Sequence, residues 1–217
     1  HPVKGLMSPN QFIPILEDSG LIVSVGKWVL EQACHQFAQW HAQGLGLQRV
    51  AGNVSARQFH KKDFVNMVRE TIESTGIKPH HLELELTESI LIQDVTQTLN
   101  NLNALRAMGV RIAIDDFGTG YSSLNYLKQF PVDTLKIDRI FIQNLPTNKD
   151  DAQITRTIIA MAHNLGMGVI AEGVEKIEQL TFLRSTQCEE IQGFYFSKPM
   201  PGHLLLEHLQ KNIAEWV

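Results

Sequence analysis

The residues in this chain best suited to chemistry are acids at recurring positions. Asp115 and Asp116 stand side by side, after the apolar run Ile112-Ala113-Ile114 and before Phe117-Gly118-Thr119-Gly120. Carboxylates are hard oxygen donors that suit Mg²⁺ or Mn²⁺. Two adjacent Asp after a strand also serve as an ordinary turn or helix cap, so the pair gains weight only if other strands end in the same way. They do: apolar runs near positions 50, 84, 135, 170 and 191 end in or carry Asn53, Glu85 with Glu88, Lys136 with Asp138, Glu172 with Glu175, and Gln192. Two divalent ions about 3.5–4 Å apart can clamp a phosphodiester and activate water for in-line attack. Lys136 would neutralise a phosphate oxygen or orient that water.

Each of these residues also has a plainer role open to it. Glu83, in the alternating Leu82-Glu83-Leu84-Glu85-Leu86, reads as a solvent-facing strand residue. Glu88 and Glu175 suit caps or supports for ligands, and Lys136 beside Asp138 suits a simple ion pair. Gly118-Thr119-Gly120 lacks the third glycine of a dinucleotide fingerprint, and Asp116-Phe117-Gly118 stands without the other motifs of a kinase. The nine histidines match no zinc spacing and are expected at the surface. Trp28 and Trp40 are expected in the core.

The elements that must position these groups alternate. Ser8-Pro9-Asn10-Gln11 predicts a helix start with a capping box, followed by Phe12, Ile13, Ile15 and Leu16 as a buried side. Helices are predicted over 23–41, 63–74, 95–108, 122–128, 150–165, 176–183 and 201–210. Strands are predicted over 49–53, 82–86, 111–116, 133–137, 168–171 and 190–192. Alternating strand and helix implies parallel strands and right-handed crossovers, which bring the carboxyl ends of all strands to one face. Six strands fit an open doubly wound sheet, or a (β/α)8 barrel short of two strands and of its typical length of about 250 residues.

The formal net charge of −4 over 217 residues gives no basic footprint for general nucleic-acid binding. Two cysteines, Cys34 and Cys188, form no disulfide framework and favour a reducing compartment. No apolar run approaches the roughly 20 residues of a membrane span.

Six segments together resemble one family: Asn53-Val54-Ser55, Glu85-Leu86-Thr87-Glu88-Ser89, Asp115 through Leu124 (DDFGTGYSSL), Leu135-Lys136-Ile137-Asp138, Ala171-Glu172-Gly173-Val174-Glu175 and Gln192 through Pro199 (QGFYFSKP). Their order is that of EAL-type cyclic-di-GMP phosphodiesterases. The resemblance implies a single α/β domain with a TIM-like (β/α)8 barrel that hydrolyses cyclic di-GMP to linear pGpG with two Mg²⁺ or Mn²⁺ ions, in bacterial second-messenger signalling. It implies Asn53, Glu85, Asp115 and Asp116 as metal ligands, Glu172 as general base or ligand, and Lys136 as holder of the attacking water. Gln192 and Asp138 are expected at the substrate, and Glu88 and Glu175 as supports of the loop from Phe117 to Ser123. A homodimer is expected, in the cytoplasm, with sensory or cyclase-like domains upstream and a membrane tether compatible with the whole. A non-catalytic cyclic-di-GMP receptor is the alternative. The family's Glu-Ala-Leu motif, which supplies a further ligand, is absent, and His1-Pro2 resemble the residues that follow it. The chain therefore reads as a domain truncated at its N-terminus by a strand pair, and this exact fragment is expected to be inactive and poorly stable alone.

Overall fold

The computed structural model describes residues 1–5, 7–120 and 124–216. Helices α1 (Pro9–Ser19) and α2 (Ile22–Ala42) lead into β1 (Val50–Asn53), α3 (Ala56–Phe59) and α4 (Phe64–Thr75). Then follow β2 (Leu82–Thr87), α5 (Glu88–Gln93), α6 (Val95–Ala107), β3 (Arg111–Phe117) and α7 (Leu124–Leu127). The chain closes with β4 (Thr134–Ile137), α8 (Arg139–Ile142), α9 (Lys149–Asn164), β5 (Gly168–Ala171), α10 (Ile177–Ser185), β6 (Glu190–Ile191) and α11 (Gly202–Trp216). The strands form one parallel sheet in sequence order, β1 to β6. The expected helix over 122–128 is seen as α7; its residues Ser122 and Ser123, like Tyr121, lie outside the described residues.

Sequential order rules out the doubly wound alternative, in which the strand order reverses midway. The sheet curls instead. Arg49, just before β1, pairs with Glu83 of β2 at 3.1 Å and also with Glu190 of β6, so one side chain joins the first strand to the last. Thr134 of β4 donates to Glu83 of β2 across the interior at 3.1 Å, although those strands are not neighbours. This is a TIM-like α/β fold built on six strands.

The two faces of the curled sheet carry different chemistry. Leu82, Leu84 and Leu86 are fully buried in one hydrophobic cluster with Phe59, Val68, Leu102 and Leu105 of the surrounding helices. Successive strand residues point to opposite faces, so Glu83 and Glu85 face the interior. The expectation of a solvent-facing Glu83 fails: it is 1% exposed and also pairs with Arg111 at 3.5 Å. Alternation normally marks a sheet with one wet face; here helices cover one face and the curl encloses the other.

The N-terminal helices depart from expectation in a second way. α1 begins at Pro9, but Ser8 makes no side-chain capping bond and the helix buries no residue. Ile15 is 64% exposed, and Phe12 and Ile13 sit at the edge of exposure. Trp28 is 59% exposed, and Trp40 is half-buried, so this pair is not core. Packing against α2 alone does not cover both faces of these helices. Not all histidines lie on the surface either: His81 and His163 are half-buried, and His163 pairs with Glu189 at 2.7 Å.

Candidate metal centre

The site begins with a defect in β3. Its register against β4 slips between Ile114 and Phe117, and Asp116 takes the left-handed φ of 53°. A bulge inserts a residue and re-aims the side chains around it, and Asp tolerates this backbone region better than most residues. In a regular strand Asp115 and Asp116 would point to opposite faces. Here each offers a carboxylate oxygen that lies within 4.8 Å of the other and of one from Glu172. Crowding has a cost: burial first, then the neighbouring Asp115 and a hydrogen bond with Asp138, push the Asp116 carboxyl up to about 6.

Beneath this cluster sits Lys136 of β4. It is 2% exposed, and its Nζ lies 2.8 Å from Glu85, 3.1 Å from Asp115 and 2.6 Å from Glu172. Burial alone would lower the lysine pKa, but the three carboxylates more than reverse that and hold it above the ordinary range. Lys136 is therefore an ammonium. For Glu85 and Glu172 burial dominates and moves both carboxyls up, with Lys136 pulling back. One ammonium among three carboxylates leaves negative charge uncompensated.

The other expected residues stand at the strand ends or in the segments just beyond them. Asn53 ends β1 directly opposite Glu85 in the register and is exposed. Glu88 is buried and accepts the Gly118 N–H at 3.2 Å. A Cβ at Gly120 would meet the same carboxylate at 3.0 Å, so the loop passes close over Glu88. Asp138 caps α8 by accepting the Ile140 N–H at 2.7 Å; Lys136 is not its ion-pair partner, since that ammonium points to the three carboxylates above. Gln192 holds its neighbours through its backbone, its C=O accepting the Val174 N–H at 3.1 Å, while its side chain is exposed. Glu175 is likewise exposed; its backbone N–H donates to Gln179 at 2.8 Å.

The donor set fits a hard divalent cation. Asp115, Asp116 and Glu172 are converging oxygen donors with excess negative charge, the kind of environment that Mg²⁺ and Mn²⁺ occupy. Among the described residues, no helix is long and apolar enough to cross a membrane.

Comparison with known proteins agrees with this architecture. The family model described as "EAL domain" matches residues 1–199. The chain is 44% identical over 210 residues to the cyclic di-GMP phosphodiesterase NbdA of Pseudomonas aeruginosa, covering 97% of this chain and 27% of that protein. It is 46% identical over 206 residues to MucR of the same organism, a bifunctional diguanylate cyclase/cyclic di-GMP phosphodiesterase, covering 95% of this chain and 30% of MucR. The chain thus spans under a third of the length of these relatives. The structure of the MucR phosphodiesterase in complex with cyclic di-GMP superposes with a TM-score of 0.91, over 94% of this chain and 83% of that one. BlrP1 of Klebsiella pneumoniae, in complex with manganese and cyclic di-GMP, superposes with a TM-score of 0.71 at 32% identity, over 80% of this chain and 44% of that one. With its strand ends, its bulged Asp115-Asp116 pair and this match over most of its length, the chain belongs to the EAL domain family.

Proposed function

We propose that this chain is a metal-dependent phosphodiesterase domain that hydrolyses cyclic di-GMP to linear pGpG in bacterial second-messenger signalling. The observation that carries the proposal is the Asp115, Asp116 and Glu172 cluster standing beside a buried Lys136 at the carboxyl ends of parallel strands, the face on which barrel enzymes place their chemistry. Asn53, Glu85, Asp115, Asp116 and Glu172 would hold two Mg²⁺ or Mn²⁺ ions. Bound there, such ions would polarise the phosphodiester and lower the pKa of water.

The chain's own residues do the rest. Glu172, with its carboxyl moved up by burial, takes a proton from the attacking water as its oxygen bonds to phosphorus; one ester P–O bond breaks, and the leaving oxygen takes up a proton from solvent to become the free hydroxyl of pGpG. Lys136 donates to that water or to a phosphate oxygen while it holds Glu85, Asp115 and Glu172 in place. Asp138 and Gln192 face the substrate. Glu88 restrains the loop after β3 through the Gly118 N–H, with Glu175 as a second support. The domain acts as a homodimer in the cytoplasm.

The test is pGpG release from cyclic di-GMP with Mg²⁺ or Mn²⁺, in the full-length wild-type protein and in its Glu172→Gln variant. Turnover should fall at least ~100-fold in the variant, as loss of a general base does, with cyclic-di-GMP binding largely retained. Near-normal turnover in Glu172→Gln removes this residue from the mechanism. A full-length protein that binds the dinucleotide without cleaving it, across metals, would identify a receptor instead.

A further inference from the structure

Gln179 has no place in the chemistry described so far, yet it is 1% exposed. An amide has two acceptor sites and two donor hydrogens, and the structure fills all four. Its Oε1 accepts the backbone N–H groups of Glu175 at 2.8 Å and Lys176 at 2.9 Å. Its Nε2 donates to the C=O groups of Ile142 at 3.1 Å and Gln143 at 3.2 Å. Donors on one side and acceptors on the other fix which end of the amide is which.

Those four contacts join two loops that each carry an acid of the site. Glu175 and Lys176 close the turn that starts at Glu172. Ile142 ends α8, a helix of four residues capped by Asp138, whose carboxyl neighbours that of Asp116. The two loops already touch at their strand ends, where the Glu172 N–H donates to the Ile137 C=O at 3.1 Å. They also meet at Gly173, where a Cβ would come within 2.6 Å of Arg139. A four-residue helix is too short to hold its own position, so its far end needs an anchor. Among the described residues, Gln179 is the side chain hydrogen-bonded to both loops.

We infer that Gln179 is a positioning residue: its amide fixes the spacing of Glu172 from the Asp116–Asp138 pair, and through that spacing sets metal affinity. Supporting residues of this sort are commonly worth 10–100-fold in metal affinity or activity. For turnover this inference rests on the proposed phosphodiesterase activity. For metal binding it does not.

Two variants test it. Gln179→Met keeps the volume and loses all four bonds. Gln179→Glu keeps the acceptors for Glu175 and Lys176 but sets a carboxylate against the carbonyls of Ile142 and Gln143. Mn²⁺ binding is measured by titration calorimetry, and by the electron paramagnetic resonance line shape of the bound ion, on protein well below its melting temperature. A core variant remote from the site, Phe64→Leu on α4, is compared after matching for loss of melting temperature. Both Gln179 variants should bind Mn²⁺ about 10-fold more weakly or worse, with a broadened line shape, and the Phe64 variant should bind as the wild type does. If Gln179→Met fails to fold, Gln179→Glu decides the matter. Wild-type Mn²⁺ affinity in Gln179→Glu, or losses no larger than those of the Phe64 variant, would overturn the inference. Absence of pGpG release in the full-length wild type would overturn the activity and leave the metal result to stand or fall alone.

Discussion

Replacing Lys136 with Met should strip the candidate metal centre of the ammonium that partly neutralises it. The substitution removes an ammonium held at 2.6, 2.8 and 3.1 Å from three carboxylates and keeps roughly the same volume. Breaking a buried charge pair by deleting one side costs about 3–5 kcal/mol. Glu172 and Asp115 retain 19% and 13% of their side-chain exposure, so water relieves part of the repulsion and the low end, about 3 kcal/mol, is expected. For a domain of this size each kcal/mol moves the melting temperature by about 2–4 °C, giving a loss of about 6–12 °C at pH 8 in chelator. The deficit should shrink towards pH 5, because the orphaned carboxylates then take up protons in the folded state. Mn²⁺ should restore much of it: a ligand at 100 times its Kd adds about 2.7 kcal/mol, and the variant should gain more from Mn²⁺ than the wild type does. The assay is a thermal melt with and without Mn²⁺ at both pH values, run beside a pGpG release assay that should show no turnover. A chelated variant melting within about 2 °C of the wild type at pH 8 would show that the carboxylates are not held against one another as described.

Further outcomes follow from individual contacts. Glu83→Ala should cost about 2–3 kcal/mol in urea denaturation, less than a fully buried pair, because Arg49 and Arg111 are 19% and 40% exposed and reach solvent. Gly118→Ala should cost about 1–3 kcal/mol and weaken Mn²⁺ binding, because Gly118 has φ +96° and a Cβ there would lie 2.7 Å from the Phe141 ring. Asp116, with its carboxyl raised to about 6 from 3.8, binds its proton more tightly folded than unfolded. Metal-free stability should therefore fall as pH rises from about 4 through 6. Mn²⁺ affinity should drop up to ~10-fold per pH unit below about 6, where the ion must displace that proton; calorimetry at pH 5 and pH 7 distinguishes this from a flat profile.

Much of the site could be read from the sequence because strand ends announce themselves. Asp115, Lys136 and Glu172 each follow or close a short apolar run, and parallel strands bring such ends together. Two features could not be read in this way. The bulge that swings Asp116 round to join Asp115 depends on a slip in pairing with β4, a property of two strands and not of one. Gln179 is the second such feature, because nothing local on α10 says that the carbonyls of Ile142 and Gln143 lie within its reach. One signal was available: Gln179 is the third residue of that helix, the place from which Gln commonly reaches back to the capping N–H. The misplaced Trp28 and the bare face of α1 reflect the opposite limit, since helical spacing marks an apolar face without saying what covers it.

Glu83 and Glu85 show how far position outweighs residue type. They sit two residues apart on β2, point the same way, and are both nearly devoid of solvent. What faces each one separates them. Glu83, near the amino end of the strand, meets Arg49, Arg111 and Thr134, so its charge is matched within the barrel and it joins strands that are not neighbours. Glu85, one layer higher, meets Lys136, an ammonium that also serves Asp115 and Glu172. A carboxylate that shares its one cationic partner among the described residues retains capacity for another. The lower glutamate is thus spent on holding the curled sheet together. The upper one is left able to bind, and the difference comes from two arginines at one end of the barrel against a single lysine at the other.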